Sequence, residues 1–386
     1  MNEREGRRGN AAPFRLTARR FDIRRPRALN PRPFLRIRPM RRRLFVSLLA
    51  ASLLGASFAQ ATTLTPEQRF RTLGDFSARK AGKPARDVSG LACMPAANGT
   101  QRCLLINDEG SFAQFARIAE NRITPDATLP IIGTEAAPDT LGQPPQGICK
   151  MPGRFAELDG EAVAYADGAF YVAGSHGCSR RKGEFRLSAF HLARIRVDAE
   201  GTATGKVELT YRLSDMLRAA GPAAAFFGRS LRYGNGLNIE GIAVTGDTLW
   251  AGLRAPSLGN RGFLVGASLN ALFAPGHAPA KEAPRVFELP AGSNRGIRDL
   301  APLPDGRLLA LIGPAQEQSL AYSLMLVDPA RPDAAMTFGD LPGRGGDKAE
   351  SLTILAQDAK GLAVLIGYDG PKNGSFESYR LPLEPR

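Results

Sequence analysis

The protein has 386 residues, of which 43% are hydrophobic and 23% are charged, and its formal net charge is +14. Residues 1–61 contain fifteen arginines and three acidic residues, so this segment carries twelve of the fourteen net charges. The remaining chain, residues 62–386, is close to neutral at +2, which argues against a nucleic-acid-binding surface there. It is also long enough to bury a sizeable hydrophobic core.

Residues 40–61 have the three parts of a secretory signal peptide. A positive start at residues 41–43 is followed by an apolar run at residues 44–58 and by the cleavage motif Ala-Gln-Ala at residues 59–61. The apolar run is shorter than the roughly 20 residues that span a bilayer. We therefore predict cleavage after Ala61, a periplasmic or secreted location and no stable membrane insertion of the mature chain.

The segment before the signal peptide, residues 1–39, is unusual because a signal peptide normally begins the chain. We predict that the start codon is misassigned and that Met40 is the initiator. A disordered basic extension is the alternative.

A short pattern recurs along residues 62–386. It consists of a polar or charged residue, a small residue, and an apolar residue followed by a small one, and a second apolar run comes after it. The five copies begin at Ser89, Glu161, Glu240, Arg298 and Glu350. Short apolar runs paired across turns are typical of hairpins, and repeated hairpins must stack to bury their faces.

The repeat predicts one all-β domain over residues 62–386, a β-propeller of five four-stranded antiparallel blades. Six blades remain open, because residues 117–145 have room for a degenerate blade. We expect Gln68 to Phe76 to supply the outer strand of the last blade and close the ring. Residues 186–197 alternate as a half-buried strand does, and residues 214–227 are Ala-rich and partly helical, interrupted by Pro222.

All four cysteines lie after the predicted cleavage point, and export to an oxidising compartment favours disulfides. Cys93 and Cys103 flank Ala97-Asn98-Gly99, and a three-residue loop there would set the two cysteines opposite each other. Cys149 and Cys178 then form the second pair by elimination.

The innermost strand of each blade lies nearest the central channel, so the five pattern-starting residues are expected to form a ring. The second strand runs back to the same face and brings Asp108, Ser175, His176, Arg254 and Asp369 there. Oxygen-rich sites of this kind suit Ca²⁺. We predict a calcium site held by Asp159, Glu161, Glu240 and Glu350.

Three residues on the same face are predicted to be catalytic. Arg254 and Arg298 are predicted to bind an anionic group, because guanidinium groups match such anions bidentately. His176 is the candidate acid or base. The competing hypothesis is that the two arginines neutralise the glutamates and pin the blades together.

Several stretches resemble a known family. Leu158–Ala164, Leu237–Ala243, Gly252–Pro256 and Arg295–Ala301 look like a bacterial domain-of-unknown-function family, numbered thirty-six-sixteen. That family is similar to secreted proteins described as having esterase-like activity of phytase. The resemblance covers most of residues 85–370 and implies a propeller fold with a phosphate-ester or calcium connection. Ala162 and Ser351 stand where that pattern has glycine.

Two functional hypotheses follow. The first is an exported, calcium-assisted hydrolase of phosphate or other esters that acts at the acidic face. The second is a non-enzymatic propeller that binds a small ligand or a partner at the same face. In either case we expect a monomer that takes a small anionic ligand and no nucleic acid.

Overall fold

The computed structural model describes residues 62–79 and 83–383, so the predicted signal peptide and the segment before it lie outside the described residues. The strands of the first half are β1 Pro66–Thr72, β2 Val88–Cys93, β3 Thr100–Asn107, β4 Phe112–Ala119, β5 Arg122–Pro130, β6 Met151–Pro152, β7 Gly160–Ala166, β8 Ala169–Gly174, β9 Glu184–Phe185, β10 Leu192–Arg196 and β11 Glu208–Thr210. Those of the second half are β12 Asn238–Thr245, β13 Thr248–Leu258, β14 Arg261–Ser268, β15 Arg285–Leu289, β16 Arg295–Pro302, β17 Leu308–Pro314, β18 Ser323–Val327, β19 Met336–Asp340, β20 Lys348–Asp358, β21 Gly361–Asp369 and β22 Ser375–Leu381.

The helices are short and lie between strands. They are α1 Arg212–Arg218, α2 Gly221–Ala224, α3 Leu231–Gly234 and α4 Leu269–Leu272, with 3-10 turns at Leu187–Phe190 and Pro332–Ala334. The predicted break at Pro222 is confirmed, since this proline sits in the first turn of α2. No helix among residues 62–79 and 83–383 is long and apolar enough to cross a membrane.

The strands group into antiparallel sets of four, which confirms the all-β, propeller-type fold. Three sets are separate sheets: β7 with β8, β10 and β11; β12 to β15; and β16 to β19. The other two, β2 to β5 and β20 to β22 with β1, are joined into one eight-stranded sheet. The innermost strands β2, β7, β12, β16 and β20 each contact the next, and β20 contacts β2, so they form a closed circuit.

We interpret each set of four strands as one blade. The count of five remains an interpretation, because it divides the eight-stranded sheet at the short parallel pairing of Arg71 with Arg122. Residues 117–145 leave no room for a sixth blade, because β4 and β5 extend to Pro130 and residues 131–145 contain no strand.

The N-terminal strand completes the last blade as predicted. β1 pairs antiparallel with β22, with Phe70 opposite Phe376. It ends at Thr72 rather than continuing to Phe76. Phe76 is nevertheless buried, with its ring 6.4 Å from that of Phe376, and its backbone N–H donates to Asn373. The two chain ends of the described domain are therefore tied together.

One predicted strand is wrong in its first half. Residues 186–197 were expected to be one strand, but Leu187–Phe190 forms a 3-10 turn before β10. Ser188, Ala189 and Phe190 are all buried in succession. The alternating hydrophobicity therefore predicted too long a strand, because the side chains of a buried turn are as little exposed to solvent as those of a buried strand.

Both predicted disulfides are confirmed. Cys93 and Cys103 lie directly opposite each other on β2 and β3. The turn between these strands is tighter than expected, because Ala97 and Thr100 exchange backbone hydrogen bonds across only two residues, Asn98 and Gly99, both with positive φ. The second disulfide, Cys149–Cys178, joins the segment before β6 to the loop after β8.

The hydrophobic core lies in layers between neighbouring sheets rather than in one central mass. Leu192 of one sheet and Leu253 and Phe263 of the next belong to a single buried cluster. Burying these apolar faces against one another stabilises the ring, since a lone four-stranded sheet would leave one face in water.

Candidate functional site

Each innermost strand has an irregularity in its pairing at the same place. The pairing register shifts between Gly160 and Ala162, between Ile239 and Gly241, and between Ile297 and Asp299, and equivalent shifts occur in β2 and β20. The extra residues at these shifts include all five residues predicted to form a ring: Ser89, Glu161, Glu240, Arg298 and Glu350. A β-bulge re-aims the side chain of the extra residue. We call these five residues the axial ring.

The axial ring contains a buried ion-pair network centred on Arg298. Its Nη2 contacts the carboxylates of both ring neighbours, Glu240 at 3.1 Å and Glu350. Arg298 is 1% exposed and Glu240 is 2% exposed. The second strand of the same blade as Glu240 adds Arg254, whose Nη1 lies 2.6 Å from the other oxygen of that carboxylate. The network thus joins three consecutive blades through charges that water does not reach.

The two arginines are also held by backbone carbonyl groups. Arg254 donates from Nε to the carbonyl oxygen of Ala315 at 3.1 Å and from Nη2 to that of Gln316 at 3.5 Å. Arg298 donates from Nη1 to Pro314 at 3.5 Å. The predicted anion-binding residues are therefore occupied by partners within the protein. This arrangement is the one that the competing, structural hypothesis anticipated.

The network sets the charge states of its carboxyl groups. Burial works to raise the pKa of Glu240, but the guanidinium groups of Arg254 and Arg298 outweigh it, so the net shift is downward. Burial raises the pKa of Glu350 to about 7, with Arg298 opposing the rise and Glu240 adding to it. Glu240 is therefore the firmly ionised member, whereas Glu350 titrates near neutrality.

Glu161 differs from the other two ring glutamates. It is only half-buried, and the described structure gives it no hydrogen bond and no ion pair. Burial raises its pKa well above the ordinary value, and the negative charges of Glu240 and Asp159 raise it further. The pKa of Glu161 is thus shifted upward, whereas that of its neighbour Glu240 is shifted downward.

Further carboxyl groups surround Glu161. Asp159, two residues earlier, accepts a hydrogen bond from the Ser175 hydroxyl group, and burial raises its pKa. Burial raises the pKa of Asp108 to about 9, with help from the charges of Asp87 and Asp159. One buried oxygen of Asp108 has no hydrogen-bond partner. The sequence placed Asp108 on this face without giving it a role.

The contacts that the structure gives for His176 are not with residues of the ion-pair network. It is fully buried, its ring lies 5.9 Å from that of Phe190, and its Nδ1 is 2.9 Å from the carbonyl oxygen of Gly174. Burial lowers its pKa to about 4. It is neutral above that pH, and the structure gives it no hydrogen bond to a carboxylate. Its place at the face was predicted, but its apolar surroundings were not.

Arg180 is a residue that the sequence did not single out. It lies in the loop after Cys178 and forms an ion pair with Glu317, and its side chain is 33% exposed. Burial lowers its pKa, and the positive charge of Arg254 lowers it further. The only sequence signal for it is its position two residues after a disulfide-bonded cysteine.

Glu317 lines a pocket of about 500 Å³ that opens beside the network. The pocket lies between the loop after β17 and the loop before β20, and its walls include Gln316, Tyr322, Arg344 and Lys348. Gln316 is one of the residues that hold Arg254, so the pocket borders the ion-pair network.

The residues present do not fit the predicted four-residue calcium site. Glu240 and Glu350 are engaged by arginines, and Asp159 accepts a hydrogen bond from Ser175. Within residues 62–79 and 83–383, no three His, Cys, Asp or Glu side chains are arranged to hold a metal ion. No chemical step is therefore derived through calcium.

Solved structures with a similar course of the chain share little sequence with this protein. They include 1,3Gal43A, an exo-β-1,3-galactanase from Clostridium thermocellum (11% identity, 81% of this chain and 61% of that chain, TM-score 0.43). A second is a member of the GH130 family of mannoside phosphorylases, with 12% identity over 86% of this chain and 96% of that chain and a TM-score of 0.43. A third is a calcium-binding protein, regucalcin, from Agrobacterium tumefaciens, with 13% identity over 78% of this chain and 94% of that chain and a TM-score of 0.35. The chain thus spans less than two thirds of the galactanase chain. Likeness at this level carries no argument about activity.

A comparison with curated proteins finds no match. The sequence profile of the phytase-like family, described as esterase-like activity of phytase, matches residues 83–366. This segment is more than half of the chain and contains the whole axial ring. The chain therefore belongs to the phytase-like family, described as esterase-like activity of phytase.

Proposed function

We propose that the protein is an exported hydrolase of ester bonds whose active site is the channel mouth formed by the axial ring and the carboxyl groups around it. Membership of the phytase-like family supports the hydrolase class. The observation that carries the site is Glu161, the ring carboxyl group without a partner, next to Glu240, which Arg254 and Arg298 keep ionised. A carboxyl group whose pKa is raised by burial and by a neighbouring negative charge is a typical general acid.

In this proposal Glu161 is the general acid. Ester hydrolysis breaks the bond between the acyl or phosphoryl centre and the alcohol oxygen, and the alcohol leaves more easily when it receives a proton. The protonated Glu161 supplies that proton. Asp159 takes a proton from the attacking water, because its raised pKa makes it a better base than an ordinary aspartate. Asp159 then releases its proton to solvent and Glu161 takes one up, which restores both groups.

Arg254 and Arg298 are positioning residues here, not anion-binding residues. They fix Glu240 as a negative charge, and that charge adds to the effect of burial in raising the pKa of Glu161. His176 has no part in this mechanism, since it is fully buried, its ring packs near Phe190 and its Nδ1 faces a backbone carbonyl group.

We also propose a subfamily and a cellular location for the protein. The stretches Leu237–Ala243 and Arg295–Ala301 support the bacterial subfamily that the sequence resembles. The two disulfides support a periplasmic or secreted protein. We expect a monomer with a small anionic substrate.

The test compares Glu161→Gln with a matched control, Glu200→Gln, which removes a carboxylate from an exposed turn. Turnover of p-nitrophenyl phosphate and p-nitrophenyl acetate is measured for each protein. Loss of a general acid lowers turnover by about 10²- to 10⁴-fold. Glu161→Gln should therefore lose activity, whereas Glu200→Gln should keep it. Full activity of folded Glu161→Gln on every ester that the wild type cleaves would refute the assignment.

A non-enzymatic binding propeller is the second candidate. The observation that favours it is that Arg254 and Arg298 are buried and engaged by glutamates and backbone carbonyl groups of the protein itself, as in a structural clamp. This candidate predicts no turnover of either ester by the wild type, together with ligand binding that the Glu161→Gln variant weakens.

Calcium binding is kept as a separate proposal. Titration of Ca²⁺ into chelator-treated protein, beside Glu161→Gln, tests it by calorimetry. Binding that disappears in the variant would support a cation at the channel mouth, with Glu161 and Asp159 as the carboxyl groups available to it. No binding at millimolar Ca²⁺ would end this proposal without affecting the acid and base roles.

A further inference from the structure

The structure leaves one guanidinium group near the axial ring available to a ligand. The side chains of Arg254 and Arg298 are only 7% and 1% exposed, and their Nη groups contact Glu240, Glu350 and backbone oxygens. Nε of Arg254 donates to Ala315, whereas Nε of Arg298 is buried without a hydrogen-bond partner. Arg180 is 33% exposed and has a single ion-pair partner, Glu317. Glu317 follows Gln316, whose carbonyl oxygen accepts a hydrogen bond from Arg254, so Arg180 lies beside the residues that hold the buried network.

The loop that carries Arg180 is held rigidly. Cys178 is bonded to Cys149, and Ser179 closes a tight turn by exchanging hydrogen bonds with Gly183 and Glu184. The backbone N–H of Lys150 donates to Gly183 across this loop at 3.2 Å. A side chain on such a loop loses little further freedom when it binds a ligand, which favours affinity.

The ion-pair partner of Arg180, Glu317, is an exposed side chain that a ligand can replace easily. The Glu317 side chain is 71% exposed, and exposed ion pairs contribute little net stability. Glu317 lines the 500 Å³ pocket, together with Arg344 and Lys348. Arg180 is not among the residues that line this pocket, but it contacts the pocket wall through the Glu317 carboxylate. An anionic group that displaced this carboxylate would meet the Arg180 guanidinium group, and would also offset the repulsion between Arg180 and Arg254.

We propose that Arg180 recognises the anionic group of the substrate, and that Glu317 occupies this position in the absence of ligand. This inference rests on the proposed function for its reaction, but it concerns a binding residue outside the axial ring. The shared chemistry of the ligand is an oxyanion, either phosphate or carboxylate, which a guanidinium group can bind through two parallel hydrogen bonds.

Binding is tested by calorimetric titration of inorganic phosphate, and separately of acetate, into three variants of the full mature protein. Arg180→Gln should weaken binding by roughly 10- to 100-fold, the loss expected for a charge-assisted hydrogen-bonded pair. Glu317→Gln should tighten it by about two- to fivefold, because the competing carboxylate is gone. Arg181→Gln removes an equal charge from the adjacent exposed residue and should change binding less than twofold. The tighter of the two anions identifies the ligand group.

The opposite signs of the first two changes make the outcome decisive. Equal weakening by Arg180→Gln and Arg181→Gln would mean a general charge effect and would overturn the inference. Unchanged or weaker binding in Glu317→Gln would overturn it as well, and this exposed substitution does not endanger folding. Arg180→Gln should also lower kcat/KM for p-nitrophenyl phosphate at least tenfold more than for p-nitrophenyl acetate.

The two proposals fail separately. If Glu161→Gln keeps full turnover while the Arg180 and Glu317 variants shift phosphate binding as stated, the acid and base roles are wrong and the anion site stands. If Glu161→Gln loses turnover while Arg180→Gln binds phosphate as the wild type does, the anion site is wrong and the hydrolase proposal stands.

Discussion

Replacing Arg298 by methionine tests whether the axial ring is held together by charge. Methionine keeps most of the length of the side chain but removes the guanidinium group, which contacts both Glu240 and Glu350. Breaking a buried ion pair by removing one partner costs about 3–5 kcal/mol, because the remaining charge is left buried. Glu240 retains Arg254, so the unpaired group is chiefly Glu350, and the expected loss in the free energy of unfolding is about 3–5 kcal/mol at pH 8.

The loss should depend on pH with a definite sign. Without Arg298 the folded-state pKa of Glu350 rises further above its unfolded value. A carboxyl group shifted in this way destabilises the protein above the unfolded pKa, and the penalty fades as pH falls toward that value. The difference between variant and wild type should therefore shrink between pH 8 and pH 5.

The assay is urea unfolding under oxidising conditions at both pH values. Adding Glu350→Gln to Arg298→Met should recover part of the loss, since the unpaired charge is then absent. Arg331→Met is the control: its ion pair with Asp328 is 3.0 Å long, but Arg331 is 76% exposed, so the change should cost less than about 1 kcal/mol. A loss below about 1 kcal/mol for Arg298→Met at pH 8 would refute the reasoning.

Two further predictions concern stability. Asp108→Asn should be stabilising at alkaline pH, because the wild-type carboxyl group, with its pKa raised to about 9, opposes folding increasingly as pH rises above its unfolded value. The advantage of the variant, measured by urea unfolding, should grow by up to about 1.4 kcal/mol per pH unit between pH 5 and 8, and a constant difference would contradict this. Gly241→Ala should lower the free energy of unfolding by about 1–3 kcal/mol, because the new Cβ would lie 2.6 Å from the Cα of Asp299 in the next blade. Gly343→Ala, where no atom lies within 4 Å, is the control, and equal thermal stability of the two variants would count against the close approach of the blades.

The axial-ring residue Arg298 is followed by an aspartate, whereas Glu240 in the preceding blade is followed by a glycine, and the contact between blades differs accordingly. Asp299 stands where Gly241 stands in the preceding blade, and its buried carboxylate accepts backbone hydrogen bonds from Leu300 and, at 2.6 Å, from Leu352 of the following blade. A side chain here replaces close backbone contact by a hydrogen bond between blades. The sequence pattern gave the position of Asp299 but not this contact.

Much of the fold could be predicted because it depends on local patterns. The recurring pattern located the five innermost strands, and the spacing of Cys93 and Cys103 about a turn predicted the first disulfide. The lack of an outer strand in the last blade predicted that the N-terminal segment closes the ring. The same pattern placed Glu240 and Arg298 in one ring. Each of these features is set by residues that are neighbours in sequence or repeat at equivalent positions.

The charge relations within the site could not be predicted in this way. Ring neighbours such as Glu240, Arg298 and Glu350 are more than fifty residues apart, and their contacts depend on bulges that direct each side chain inward. Sequence spacing therefore left open whether the carboxylates would bind a metal or the arginines. The position of Arg180 was hidden for the same reason, since only the folded loop brings it near Arg254.

The sequence alone therefore determined the all-β architecture, the closure by the N-terminal strand, the cysteine pairs and the membership of the axial ring, because hydrophobic repetition and turn chemistry act over short distances. Only the tertiary structure decided which carboxyl groups are neutralised, that Glu161 has no ion pair or hydrogen bond among the described residues, and that His176 is fully buried. Charge states depend on burial and on partners from other blades, and these exist only once the ring has closed.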